Sequence, residues 1–209
     1  MRPVQYSWLT LRLNNRYTVW VIKAIIFDCF GVLVGSGFKE IYRQAGGDLE
    51  KDEPFVDELL ADANSGRISS REMHQRVVDR LELTHDEWKD FVNSREQPNL
   101  ELLGYVKELK NDYKLAILSN ANYGVLPRKL SPEQLALFDT TVTSAEVGHI
   151  KPAPEIYLLA AEQLGVQPEE CVFIDDGRHF CEGAEAVGMK SIWYQDFSQF
   201  KRDLQKLLA

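Results

Sequence analysis

Apolar and polar positions change period repeatedly along this chain, and each change marks an element. Ala24-Ile25-Ile26-Phe27 extends an apolar run from Lys23 that stops at Asp28, with Gly31 soon after. A run without polar alternation predicts a strand buried on both faces. Similar runs occupy 114–118, closing on Ser119-Asn120, and 171–174, closing on Asp175-Asp176. Two further strands are expected at 138–143 and 190–194. Helical spacing fills the intervals: Pro98 to Lys110 with Leu102, Leu103, Val106 and Leu109, then Lys151-Pro152-Ala153-Pro154 through Leu164 to a stop at Gly165, then 178–187 and the C-terminal residues. Ser131-Pro132-Glu133-Gln134 predicts a short helix in a looser region, and 143–148 reads as a loop. Repeated strand–helix units predict an α/β fold, a doubly wound, mainly parallel Rossmann-like sheet with helices on both faces.

One segment interrupts that alternation. Residues 37–95 read as four short helices without a strand. Phe38, Ile41, Tyr42 and Ala45 share a face before Gly46-Gly47, and Pro54 is expected to open a second helix carrying Phe55, Leu59, Leu60 and Ala63. Ser69-x-x-Glu72 and Thr84-x-x-Glu87 are capping-box sequences that start the third and fourth. The predicted organisation is an N-terminal extension at 1–21, an α/β core formed by 22–36 and 96–209, and a small helical bundle at 37–95 inserted into it.

Composition narrows the partners. A net charge of −8 over 209 residues disfavours nucleic acid and anionic membrane, which both call for a basic face. It leaves room for a small phosphorylated ligand, which needs only local positive charge. No apolar run reaches the ~18–20 residues that span a bilayer. Cys29, Cys171 and Cys181 have no metal-ligand spacing, so reduced thiols in a cytoplasmic protein are the expected state. The first twenty residues carry Arg2, Arg12 and Arg16 and no acid. They read as a transit-like segment, an extra edge element, or sequence upstream of a start near Val21, the last two preferred because no small-residue cleavage signature follows.

Polar groups at the ends of three buried runs supply the candidate chemistry. Asp28, Ser119-Asn120 and Asp175-Asp176 all fall where an open α/β sheet binds ligands, and Lys151 begins a helix in the same layer. Converging carboxylates raise one another's pKa unless a cation stands between them, and oxygen ligands of this kind suit Mg²⁺. Singly, each has a plainer reading: Asp28 as a turn residue with Gly31, Ser119 as a strand-end serine, Lys151 as a solvated lysine, the aspartate pair as a helix cap.

Together, Ile-Ile-Phe-Asp28-x-x-Gly31-Val-Leu, Ile-Leu-Ser119-Asn120, Lys151-Pro152 and Val-Phe-Ile-Asp175-Asp176 resemble the motifs of the haloacid dehalogenase-like hydrolase superfamily, from about residue 22 onward. The bundle at 37–95 sits where one branch of that superfamily inserts its cap. The resemblance implies a Mg²⁺-dependent phosphatase of small phosphorylated metabolites. In that scheme Asp28 is the nucleophile, and Mg²⁺ is held by Asp28, the main-chain carbonyl of Phe30 and Asp176, with Asp175 direct or one shell out. Ser119 and the Asn120 amide bind the phosphoryl group, Lys151 neutralises nucleophile and phosphate, and the cap excludes water. Specificity is expected in the cap, with Arg43, Arg67 and Arg71 as its first cationic candidates.

Two positions depart from the pattern. Phe30 stands where most phosphatases of the superfamily carry an acid/base aspartate, and general acid–base help is typically worth ~10²–10⁴-fold. The expectation is a slow enzyme, a good leaving group or a substitute acid. Phe180 stands where related chains with an acidic pair often have asparagine, with His179 beside it as a possible substitute. Phe30 also admits two alternatives: a metal-independent 2-haloacid dehalogenase, whose family has tyrosine there, and a weakly active or non-catalytic relative. The acidic pair counts against the dehalogenase, because uncompensated carboxylates repel an anionic substrate.

Overall fold

The computed structural model describes residues 21–35 and 37–208; the arginine-bearing stretch at 1–20 lies outside them. Five strands, β1 (Ala24–Phe27), β2 (Lys114–Ser119), β3 (Thr140–Thr143), β4 (Cys171–Asp175) and β5 (Lys190–Trp193), form one parallel sheet in the order β3-β2-β1-β4-β5. Ile25 pairs with Leu115 on one side and Val172 on the other, so β1 is central. The chain builds outward from β1 to β3, returns, and builds outward again from β4. The topological switch therefore falls between β1 and β4, where a crevice opens beyond the carboxyl ends of the strands.

The continuous apolar character of β1 follows from this placement. Ile25 and Phe27 face α5 (Leu100–Leu109) and α11 (Phe197–Leu208), packing with Leu102, Val106, Phe200 and Leu204. Ala24 and Ile26 face α9 (Pro154–Leu164) and α10 (Arg178–Ala186), packing with Ile156, Ala160 and Ala184. Helices cover both faces, so neither face of the strand needs a polar residue.

The remaining helices are α1 (Phe38–Gln44), α2 (Leu49–Asn64), α3 (Ser70–Leu81), α4 (His85–Arg95) and three single turns: α6 (Leu126–Lys129), α7 (Pro132–Leu135) and α8 (Ser144–Val147). Helices α1–α4 have a hydrophobic cluster of their own, centred on Tyr42, Val56, Leu59, Val77 and Trp88. Helix α2 starts earlier than Pro54, because Asp48 accepts hydrogen bonds from the N–H groups of Glu50 and Lys51 and caps Leu49. Pro54 lies inside the helix. Asp52 in the first turn binds the Tyr42 hydroxyl at 2.7 Å and also Arg80, which holds that turn in place. The 143–148 stretch is likewise no simple loop. It turns once as α8 and ends at Gly148, whose φ of 76° is the left-handed cap conformation. Strand β3 begins at Thr140 instead of 138, since Phe138 turns into the core and Asp139 bonds through both backbone and side chain to Leu115.

Candidate active site

Strand β1 delivers Asp28 to the crevice, where its backbone N–H still pairs with Ile174 at 2.8 Å. The carboxylate is 7% exposed, and its Oδ1 accepts from Lys151 Nζ at 2.8 Å. The same ammonium donates to Asp175 Oδ2 at 2.6 Å. Lys151 is therefore a buried bridge between the ends of β1 and β4, the two strands at the switch point. Its Nζ lies 5.2 and 4.9 Å from the ring centres of Phe173 and Phe180, close enough for cation–π attraction to help keep it charged. Asn120 fixes the lysine's backbone: its amide nitrogen donates to the Lys151 carbonyl at 3.0 Å, and its amide oxygen accepts from the Lys151 N–H at 2.8 Å.

Asp175 is the lysine's buried counter-ion, and its other oxygen accepts from the Gly177 N–H at 2.7 Å. Asp176 points outward. A side chain at Gly31 would coincide with the Asp176 carboxylate, and Gly31 has a φ of 87°, so both space and backbone geometry call for glycine there. The Trp193 indole N–H donates to the Asp176 carbonyl at 2.8 Å and steadies the strand end. Ser119, at the end of β2, is buried with a hydroxyl that has no partner.

The charges do not balance internally. Asp28, Asp175 and Asp176 each present an oxygen within 4.8 Å of the others, and among the described residues the one buried cation is Lys151. Burial pushes Asp28 up to about 6, with Asp175 adding to the rise and Lys151 opposing it. Burial, followed by repulsion from Asp28, pushes Asp176 up to about 6 as well. Burial also raises Asp175. For Lys151, burial works against the charge, but the Asp28 and Asp175 carboxylates outweigh it and hold the ammonium above its ordinary pKa. A divalent cation between Asp28 and Asp176 would remove the imbalance, and Gly31 leaves the room for Asp176 to reach it.

A cavity of about 780 Å³ opens over this cluster. Asp28, Phe30, Ser119, Asn120, Lys151 and Asp176 form its floor, whereas Asp175 lies beneath. Phe38, Met73, His74 and Trp88 from α1, α3 and α4 line the opposite side. Arg43 and Arg67 do not line the cavity; they pair with Glu40 and Asp62. Arg71 lines a separate, smaller pocket with Asn122 and Arg128. His179 and Phe180 both reach the main cavity, with ring centres 3.8 Å apart. Glu96 and Lys129 line it too and pair at 2.5 Å, yet neither stands in a motif or a periodic pattern that marks it.

Residues 22–188 match the family model for haloacid dehalogenase-like hydrolases, and the chain belongs to that family. Among curated relatives it is 26% identical over 207 residues to a D-ribitol-5-phosphate phosphatase of Bacteroides thetaiotaomicron, covering 90% of this chain and 99% of the relative. Among solved structures it resembles a predicted HAD-like family hydrolase from Porphyromonas gingivalis, with 29% identity, a TM-score of 0.69 and coverage of 90% and 98%. The fold is also that of a HAD family enzyme from Bacteroides thetaiotaomicron solved with magnesium and inorganic phosphate, at 23% identity, a TM-score of 0.67 and coverage of 86% and 98%. No helix among the described residues is long and apolar enough to cross a membrane.

Proposed function

We propose that this hydrolase is a Mg²⁺-dependent phosphatase of small phosphorylated metabolites, working through an aspartyl-phosphate at Asp28. The observation that carries the reading is the excess of carboxylates over buried cations at the switch point, beside an unpartnered Ser119 hydroxyl. An oxygen-rich cluster short of positive charge suits a divalent cation and a phosphoryl dianion bound together. The similarity to a ribitol-phosphate phosphatase, and the magnesium and phosphate bound to a protein of the same fold, point the same way.

Asp28, Asp176 and the main-chain carbonyl of Phe30 would hold the ion, with Asp175 one shell out because both of its oxygens are already engaged. Bound there, Mg²⁺ supplies charge compensation for the phosphoryl oxygens. Lys151 keeps Asp28 ionised and its oxygen aimed from the strand end. Asp28 attacks phosphorus in line, forming the Oδ–P bond as the bond to the leaving oxygen breaks. The Ser119 hydroxyl donates to a phosphoryl oxygen in the position where it now has no acceptor. Asn120 acts through Lys151, whose backbone it clamps, and so positions the ammonium instead of contacting phosphate with that side-chain pair. Residues 37–95 serve as the cap over a core of 22–36 and 96–209, and its apolar wall excludes water from the attack. The three buried, unpaired cysteines fit a reducing cytoplasm. Asp176 beside the nucleophile disfavours the dehalogenase alternative, since it would repel a carboxylate substrate.

The test is turnover of acetyl phosphate and an aryl phosphate with added Mg²⁺ and with EDTA. The expected result is metal-dependent phosphate release that Asp28→Asn abolishes. No release from either compound at any Mg²⁺ concentration overturns the proposal.

A further inference from the structure

Phe30 lines the cavity two residues after Asp28, where the resemblance to phosphatases of the superfamily implies an acid/base aspartate, and its ring can neither give nor take a proton. Five carboxyl groups line that cavity: Asp28, Glu40, Asp57, Glu96 and Asp176. Asp28 and Asp176 belong to the nucleophile and cation cluster. Glu40 is exposed to water and bound by Arg43 and Gln44. Asp57 is an exposed partner of Lys39. Glu96 differs from all four.

Glu96 follows α4 on the segment that returns from the cap to the core. That segment runs directly beside the turn after Asp28. Gly35 N–H bonds to Gln97 O at 2.9 Å, Asn99 N–H to Leu33 O at 2.8 Å, and Val34 bridges both Phe30 and Pro98. The packing leaves no room for a Cβ at Gly35, which would strike the Arg95 carbonyl. Glu96 is thus held on the core side, next to the turn that carries Phe30. Its side chain is 13% exposed and pairs with Lys129, itself 18% exposed, so the pair faces the cavity more than the bulk. Burial raises the Glu96 pKa while Lys129 restrains the rise. The two cavity histidines are placed differently: His74 packs edge-on against Trp88 in the cap, and His179 stacks on Phe180 beyond Asp176.

We infer that Glu96, positioned by Lys129, performs the two proton transfers that Phe30 cannot. The inference rests on the phosphatase reading above. In the first step Asp28 Oδ bonds to phosphorus, the bond from phosphorus to the leaving oxygen breaks, and the Glu96 carboxyl gives its proton to that oxygen. In the second step the Glu96 carboxylate takes a proton from water, the water oxygen bonds to phosphorus, and the Oδ–P bond breaks. Asp28 returns as carboxylate and Glu96 as carboxylic acid, so each turnover balances as one ester and one water giving alcohol and phosphate.

The experiment compares an alkyl phosphate with p-nitrophenyl phosphate, whose leaving group needs little protonation. In Glu96→Gln, kcat/KM for the alkyl ester should fall about 10²-fold or more, while that for the aryl ester changes by only a few-fold. Rapid mixing of Glu96→Gln with p-nitrophenyl phosphate should give a burst of nitrophenol approaching one equivalent per enzyme, followed by slow turnover, because the water step has lost its base. Phe30→Asp added to Glu96→Gln should restore much of the alkyl rate. Equal losses on both esters, no loss on either, or a loss that Phe30→Asp leaves unchanged would overturn the role of Glu96 while the phosphatase reading stands. Absence of turnover by the unaltered protein on both esters would overturn both.

Discussion

In the core, one buried ammonium answers two buried carboxylates. Lys151, Asp28 and Asp175 are all nearly inaccessible, and they are oriented by one another, by the Asn120 side-chain amide and by the Gly177 N–H. In the α1–α4 bundle, charged groups mostly meet at the surface: Lys39 with Asp57, Arg43 with Glu40, Arg67 with Asp62 and Arg76 with Glu72. The exception is Asp52, held by Tyr42 and Arg80 at the base of α2. Exposed pairs contribute ~0–1 kcal/mol each, whereas breaking a buried pair typically costs ~3–5 kcal/mol because a desolvated charge is left alone. The core is therefore costly to alter at this buried cluster. The α1–α4 bundle can change its polar residues with little effect on folding.

Replacing the shared cation attacks that contrast most directly. Lys151→Met preserves much of the volume but leaves Asp28 and Asp175 facing each other without compensation. The expected loss of unfolding free energy is about 3–5 kcal/mol at neutral pH, measured by urea titration, together with loss of detectable phosphate release. A loss below about 1 kcal/mol would put this network in the same class as the cap's surface pairs.

How much of this could be read from the chain depended on whether a residue's environment left a mark in the pattern. Asp28, Ser119 and Asp175 were legible because each ends an apolar run, and a polar group there must have a partner or a function. Lys151 was legible through its motif, although not its burial, since a lysine before proline looks like a surface residue. The start of α2 was missed because Pro54 is the stronger local signal. The cap at Asp48 and the Asp52 tether to Tyr42 and Arg80 are contacts that periodicity does not encode. Glu96 and Lys129 were invisible for a related reason: one lies in a crossing segment and the other in a one-turn helix, and only the tertiary fold brings them to the same cavity.

The next effect concerns the outward carboxylate. Gly31→Ala places a Cβ on the Asp176 oxygens at a positive φ, which for a non-glycine residue costs ~1–2 kcal/mol before any clash is counted. Its clearest signature should be a Mg²⁺-induced rise in Tm that shrinks to less than half that of the unaltered protein. An undiminished rise would mean that the ion does not depend on Asp176.

The same readout has a defined pH dependence. Asp28 and Asp176 sit at about 6 in the metal-free protein, against 3.8 as the ordinary value. Groups raised in this way bind protons more tightly in the folded state. Their contribution to metal-free stability is present below about pH 4 and is lost as pH rises through 6. Mg²⁺ must displace those protons below pH 6 and meets free carboxylates above it. The Mg²⁺-induced rise in Tm should therefore be small at pH 5 and close to its full size at pH 7.5. A rise of equal size at both values would remove these two carboxylates as the ligands.

The smallest effect probes how the two regions are joined. The Ser144 hydroxyl donates to the Asn64 carbonyl at 2.6 Å, at the last residue of α2, and accepts from the Ala121 N–H at 3.0 Å, in the loop after β2. Asn122 adds a second tie, donating to the Ile68 carbonyl at 2.7 Å. Ser144→Ala leaves a buried N–H and a carbonyl without their partner, a cost of about 1–3 kcal/mol in unfolding free energy. Arg67→Ala, which breaks only an exposed bond to Asp62, should cost under about 1 kcal/mol. Because Ser144 joins the α1–α4 bundle to the sheet domain and bonds neither Asp28 nor Lys151, on the proposed reading its loss should raise KM for a substrate large enough to reach the bundle. For acetyl phosphate, which needs only the floor at Asp28, Ser119 and Lys151, both constants should stay within a few-fold. If Ser144→Ala instead lowered kcat for acetyl phosphate as strongly as for the larger ester, the cap would be part of the machinery that arranges the nucleophile, and the division between a fixed reaction centre and an adjustable roof would have to be abandoned.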